Sequence, residues 1–205
     1  MSAPQSPSSD AATPRGRDTR IMLGVMAGLV ALKAFALGAS GSVSALAGLA
    51  ESCLALAAAG AILLRSRWHP LLRPVDDRTA EAMERLVQSG MTLSAALIVG
   101  TIAVVGIFEP RPVGGGLWAV GAIATSVVVT AVFAALRHMQ GRPEGRDAFS
   151  YADLVPAFVV LLGVSAGTIL NAPGLDAAAA LVVAVWLFWG ALPSIAAAAA
   201  LLSRD

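Results

Sequence analysis

An all-α, polytopic membrane protein built as a bundle of six transmembrane helices is predicted from three features of the sequence. They are an excess of apolar residues, six apolar runs of spanning length, and a one-sided distribution of arginine. Of 205 residues, 57% are hydrophobic and 13% charged, and the mean hydropathy is +0.77. A single soluble core of this size cannot hide that much apolar surface, so the lipid bilayer is the expected solvent. The net charge of +1, with basic residues at helix ends rather than clustered on one face, argues against a nucleic-acid partner. The single cysteine, Cys53, rules out an internal disulfide, and no CxxC or Cys/His zinc-knuckle spacing occurs.

A spanning helix needs about 20 mainly apolar residues, and the runs at 21–38, 43–64, 86–108, 116–136, 151–170 and 177–202 supply them. Their Ala, Leu, Val and Gly content reads as helix, whereas barrel strands are shorter and alternate with polar residues. Residues 1–20, MSAPQSPSSDAATPRGRDTR, are rich in Ser, Pro, Ala and charge, and are expected to be a disordered cytoplasmic tail. The first run is read as a retained span rather than a signal peptide. Lys33 and Phe35 stand where a cleavage site needs small residues, and a second long apolar run comes soon after.

Orientation comes from charge. The N-terminal tail, the loops after spans two and four and the C-terminus carry twelve arginines, against Arg111 alone on the opposite side, with Lys33 inside a span. By the positive-inside rule both termini are cytoplasmic, in an inner or plasma membrane. The connections on the other side are short and made of turn formers: ASGS at 39–42, EPRPVGGG at 109–116 and NAPG at 171–174. Helices joined by them are antiparallel neighbours. The segment DDRTAEAMERL can start a helix before the third span, with Asp77 or Thr79 as its N-cap.

Several local patterns, in order, carry a resemblance: Lys33 with FALGASGSVSALAGLAES from residue 35, TAEAMERLVQSGMTLSAALIV at 79–99, IFEPRPV at 107–113, ADLVPAFVVLLG at 152–163 and GLDAAAALVVAVWL at 174–187. Together, from about Ile21 to Leu202, the chain resembles the membrane domain of the cation diffusion facilitators, proton-coupled exporters of zinc, manganese and iron. The resemblance implies the six-helix bundle of that family, transport of a divalent cation in exchange for protons, and a homodimer or a dimer with a related transporter. An enzyme is not expected, since no Ser/His, HExxH or nucleotide motif occurs, nor is a permanently bound cofactor. The family's usual soluble C-terminal domain is not expected here, since only residues 203–205 come after the last span.

The family's transport site uses two acidic positions four apart on span two, and a His or Asp with an Asp four apart on span five. Residues at i and i+4 share a helix face, so two such pairs can surround an ion. The resemblance places Glu51 and Ala55 at the first pair and Phe149 and Asp153 at the second. Two carboxylates, Glu51 and Asp153, remain as the expected metal ligands. Ser52, Cys53, a backbone carbonyl or water could complete a looser site, and an all-oxygen set leans toward manganese, magnesium or iron(II) over zinc. Two nearby carboxylates can also share a proton. His69 and His138 stand alone in the loops and are not expected to form a metal-gathering site.

Plainer roles stand beside these. Glu51, mid-span, either serves a site or sits in an ion pair or protonated hydrogen bond, because an isolated charge there costs a few kcal/mol. Lys33 either snorkels outward or pairs with an acid. Asp153 is a ligand or an N-terminal carboxylate of its helix, and Asp176 most simply caps span six. Cys53 reads as a small buried apolar residue. Pro156 and Pro193 read as kinks, Trp186 and Trp189 as packing or lipid contacts, and Trp68 and Trp118 as interfacial anchors. A chain of this kind with incomplete ligands could also be a transport-inactive partner, scaffold or regulator of another transporter.

Overall fold

The computed structural model of the chain describes residues 14–68, 77–139 and 154–203. Among these residues there are six helices and no strand: α1 (Pro14–Ser40), α2 (Val43–Trp68), α3 (Asp77–Phe108), α4 (Gly116–Met139), α5 (Leu154–Ile169) and α6 (Pro173–Leu202). The stretches Ile21–Ser40, Val43–Ala61, Ala82–Phe108, Gly116–Leu136 and Pro173–Leu201 are each long and apolar enough to cross a bilayer, and Leu154–Ile169 is a shorter apolar helix. The protein is an all-α polytopic membrane bundle. In hydrocarbon a backbone amide finds no water, so a helix, which satisfies its own amides, is the one open conformation available to such segments.

The helices begin earlier than the apolar runs suggest. Residues 14–20, read as tail, are helical, and residues 1–13 lie outside the described residues. α6 starts at Pro173 rather than near 177; proline suits the first helical turn, where its missing N–H has no intrahelical acceptor. Pro156 lies within α5. Pro193 is inside α6.

Polar residues within the spans return their hydroxyls to the preceding turn. Ser94 Oγ donates to Gly90 O at 2.9 Å, Thr101 Oγ1 to Leu97 O at 2.8 Å and Thr125 Oγ1 to Gly121 O at 2.8 Å. Each hydroxyl then needs no outside partner, which makes it tolerable against lipid. Trp189, Trp118 and Phe108 are largely exposed on the outside of the bundle. Cys53 is exposed as well, which corrects the expectation of a buried thiol. It lies two residues after Glu51, and two residues rotate a helix by about 200°, so when Glu51 faces inward Cys53 faces out.

α1, α2, α5 and α4 pack in a ring, while α3 and α6 zip together and lie against α2, with α6 also against α5. The three short connections meet at one end of the bundle. There Gly41 takes the left-handed conformation (φ 63°) and its N–H closes α1 onto Leu37 O at 2.8 Å, the αL cap that a residue with a Cβ enters at a cost. The Gly114 N–H donates to Ser40 O at 2.8 Å, tying the α3–α4 connection to the α1–α2 turn. Deeper in, Gly163 of α5 is pressed between two helices: a Cβ on it would stand 2.6 Å from Ala179 Cβ and 2.7 Å from Ser44 Oγ.

That contact sets the spacing of α5 from α2 and α6, and it yields a direct expectation. Gly163→Ala should destabilise the protein by about 1–3 kcal/mol, as overpacking does, read as a lowered melting temperature in detergent. A Gly163→Ala protein as stable as the parent would show that α5 is not seated against Ser44 and Ala179.

Candidate functional site

Two helices supply the charged pair inside the membrane-spanning part. Lys33 stands seven residues before the end of α1 and Glu51 eight residues after the start of α2, each about 10–12 Å from the turn end at about 1.5 Å per residue. The tight turn at Gly41 makes the helices antiparallel, so residues at equal distance from it face one another. The Lys33 Nζ lies 3.8 Å from Glu51 Oε2 and donates a hydrogen bond to Gly48 O at 3.1 Å. Lys33 is buried, and the Glu51 side chain keeps 18% of its surface exposed.

The chemistry of this arrangement derives from burial. An isolated charge in the span would cost about 2.5–3.5 kcal/mol even on insertion scales, and the two opposite charges offset one another. At 3.8 Å the pair is longer than a charge-assisted hydrogen bond, and the ammonium also donates to the Gly48 carbonyl. Gly48, one helical turn before Glu51, brings its carbonyl to the same face. Of the two alternatives for Lys33, pairing with an acid is the one the geometry adopts.

The other expected ligands divide. Ala55 is on α2, one turn beyond Glu51, and packs with the α1 and α4 side chains around Met26 and Leu29. Asp153 and Phe149 lie outside the described residues, as does His69. Among the described residues no group of three or more His, Cys, Asp or Glu side chains comes together.

A second polar centre, at the turn end, is one that the sequence does not announce. Asp176 is 1% exposed, and it does not cap its own helix. α6 has Ala172 at its N-cap with no side-chain cap, and Asp176, four residues further on, is already past the amides that need one. It caps α2 instead. The Val43 N–H donates to Asp176 Oδ2 at 2.8 Å and the Ser44 N–H to Oδ1 at 3.4 Å. The Ser42 hydroxyl donates to Oδ1 at 2.6 Å and the Ser44 hydroxyl bonds the same oxygen.

The remaining two amides at the head of α2 are served locally, Ala45 N–H by Ser42 Oγ at 3.1 Å and Ser42 N–H by Ser40 Oγ at 3.2 Å. All four amides that a helix start leaves open thus have partners. Two helix N-termini, those of α2 and α6, converge on one carboxylate, which their dipoles favour. The signal in the sequence is Gly41-Ser42-Val43-Ser44, a helix start rich in donors. It does not say which acid answers them.

No family model matches the chain, and no curated protein does.

Removing one charge of the Lys33–Glu51 pair should cost more than removing both. Lys33→Met alone and Glu51→Gln alone are each expected to destabilise by about 3 kcal/mol, the lower end for a buried pair because Glu51 keeps some exposure. Lys33→Met with Glu51→Gln should recover most of that loss. Unfolding in mixed micelles reads the cycle, and additive losses would mean the two side chains are energetically independent.

Proposed function

We propose that the chain moves a divalent cation across the membrane in exchange for protons, with Glu51 as the carboxylate that passes between the Lys33 ammonium and the cation. The observation that carries this reading is the Lys33–Glu51 pair itself. A charged pair buried in spanning helices, one member still partly exposed, is what a transport pathway needs and what a purely apolar bundle would avoid.

The exchange rests on competition for the Glu51 carboxylate. A cation arriving at Glu51 takes over the role of the ammonium, and Lys33 retains Gly48 O as an acceptor. Asp153, which the resemblance to cation diffusion facilitators puts on the facing span, supplies the second carboxylate. With oxygen donors alone the site favours manganese, magnesium or iron(II) over zinc. When the cation leaves, the two carboxylates take up a proton between them, which couples the cycle to the pH gradient. The arginine-rich end is cytoplasmic in this reading, and the working unit is a dimer, of two copies or with a related transporter.

A second reading is favoured by one feature of the same site. Glu51 already has an ammonium beside it, and Ala55 brings no oxygen one turn away, which suits a transport-inactive relative acting as a partner or regulator.

Flux measured in proteoliposomes under a pH gradient separates the two, with zinc, manganese, iron(II), cobalt and cadmium as trial cations. Transport should occur for at least one oxygen-preferring cation and be abolished by Glu51→Ala or Asp153→Ala. Zinc transport should appear or rise when Ala55→Asp and Phe149→His complete the ligand set. No flux for any cation from a folded sample would favour the inactive partner, and flux that survives both carboxylate substitutions would remove Glu51 and Asp153 from the pathway.

A further inference from the structure

The polar cluster at Asp176 is spent neither on the ion pair nor on the cation, and its place in the core gives it a role. Toward the turn end, one continuous core draws on every helix, with Ala36, Ala47, Ala103, Ile123, Val164 and Ala180 contributed by α1 to α6 in turn. Toward the arginine-rich end, Met26 and Leu29 of α1 and Ala59 of α2 cluster with side chains of α4, and α3 and α6 pack on each other. Lys33 and Glu51 lie where the first arrangement gives way to the second.

On the turn side of Glu51 the helices are in close contact. A Cβ on Gly48 would lie 3.1 Å from Val160 Cγ1, and one on Gly167 would lie 2.8 Å from Val113 Cγ2 and 3.1 Å from Asp176 Cβ. The last layer of this seal is Asp176 itself, which joins α6 to the head of α2 through the Val43 and Ser44 amides and the Ser42 and Ser44 hydroxyls.

We infer that Asp176 is a latch that holds the turn end of the bundle shut, so that Glu51 communicates with the arginine-rich end until the latch is broken. What passes through rests on the transport reading above; the latch rests on packing. Moving the start of α6 away from α2 leaves two amides, two hydroxyls and a carboxylate in a low-dielectric layer at once, and each unpaired buried group carries a full desolvation cost. Partial opening is therefore unfavourable, whereas full opening lets water replace the lost bonds. Such a contact has two stable arrangements, closed and hydrated, as an alternating-access gate requires.

The test uses accessibility and needs no transported ion. In a Cys53→Ala background, single cysteines are placed one at a time: Ala55→Cys on the arginine-rich side of Glu51, and Val164→Cys, fully buried in the sealed half of α5. A membrane-impermeant maleimide is applied from either side of sealed vesicles of known orientation. With Asp176 intact, Ala55→Cys should react from the arginine-rich side and Val164→Cys from neither.

Adding Asp176→Asn, or the milder Ser44→Ala if the first does not fold, should raise the labelling of Val164→Cys from the turn side by about tenfold or more. That ratio is what the loss of one or two hydrogen bonds to a charged group gives. Unchanged labelling in a cooperatively melting Asp176→Asn or Ser44→Ala protein overturns the latch, as does labelling of Val164→Cys from the turn side while Asp176 is present. If the labelling pattern holds and no cation is carried, the cargo is wrong and the latch stands. If cations are carried and the labelling does not respond, the transport reading stands without the latch.

Discussion

The backbone of a helix start has to be paired with something, and inside a membrane bundle the partner cannot be water. At the head of α2 that constraint is met half by the helix itself and half by another one. Ser40 and Ser42 serve two amides from within the α1–α2 turn, and Asp176 reaches across from α6 to serve the Val43 and Ser44 amides. The arrangement positions α2 along its axis and about it, because the amide directions and the carboxylate leave little freedom in either. It also brings α6, and through it α3, against the four-helix ring.

The contacts farther along α2 depend on that placement. Ser44, Gly48 and Glu51 recur at spacings of four and three and so share a face. Ser44 meets Asp176 and α5, Gly48 meets Val160 and the Lys33 ammonium, and Glu51 meets Lys33. One stripe of one helix therefore links the capping carboxylate at the turn end to the ion pair about 10 Å deeper. Rotating α2 by a single residue, about 100°, would turn Glu51 out of reach of Lys33 and take Ser44 from Asp176 together. The small residues on the facing helices, Gly163 and Ala179 above all, are what let this stripe be approached closely enough to be used.

Much of the architecture was legible in the residues. Apolar runs of spanning length and turn-forming connections specify a helical membrane bundle, since hydrophobic length is a local property read without knowing neighbours. The helix starts were less legible: residues 14–20 and Pro173 lie outside the apolar runs, and helices extend past the hydrocarbon wherever the next residues tolerate it. Glu51 and Lys33 stood out as charges in apolar surroundings, while their pairing depended on the exact closure of the turn at Gly41. Cys53 is misjudged when burial is read from residue type, because its position two residues after Glu51 decides its face.

By itself the sequence determined the class of solvent, the number of apolar segments, their helical state and the few ionisable residues that hydrocarbon must accommodate. These are sums over local composition, and lipid leaves few alternatives. Only the tertiary structure decided the partners. Nothing local directs Asp176 to the head of α2, and the amides of α2 were free to find any acid. The choice was made by the convergence of two helix N-termini at one end of the bundle, a relation between residues about 130 positions apart that no local pattern encodes.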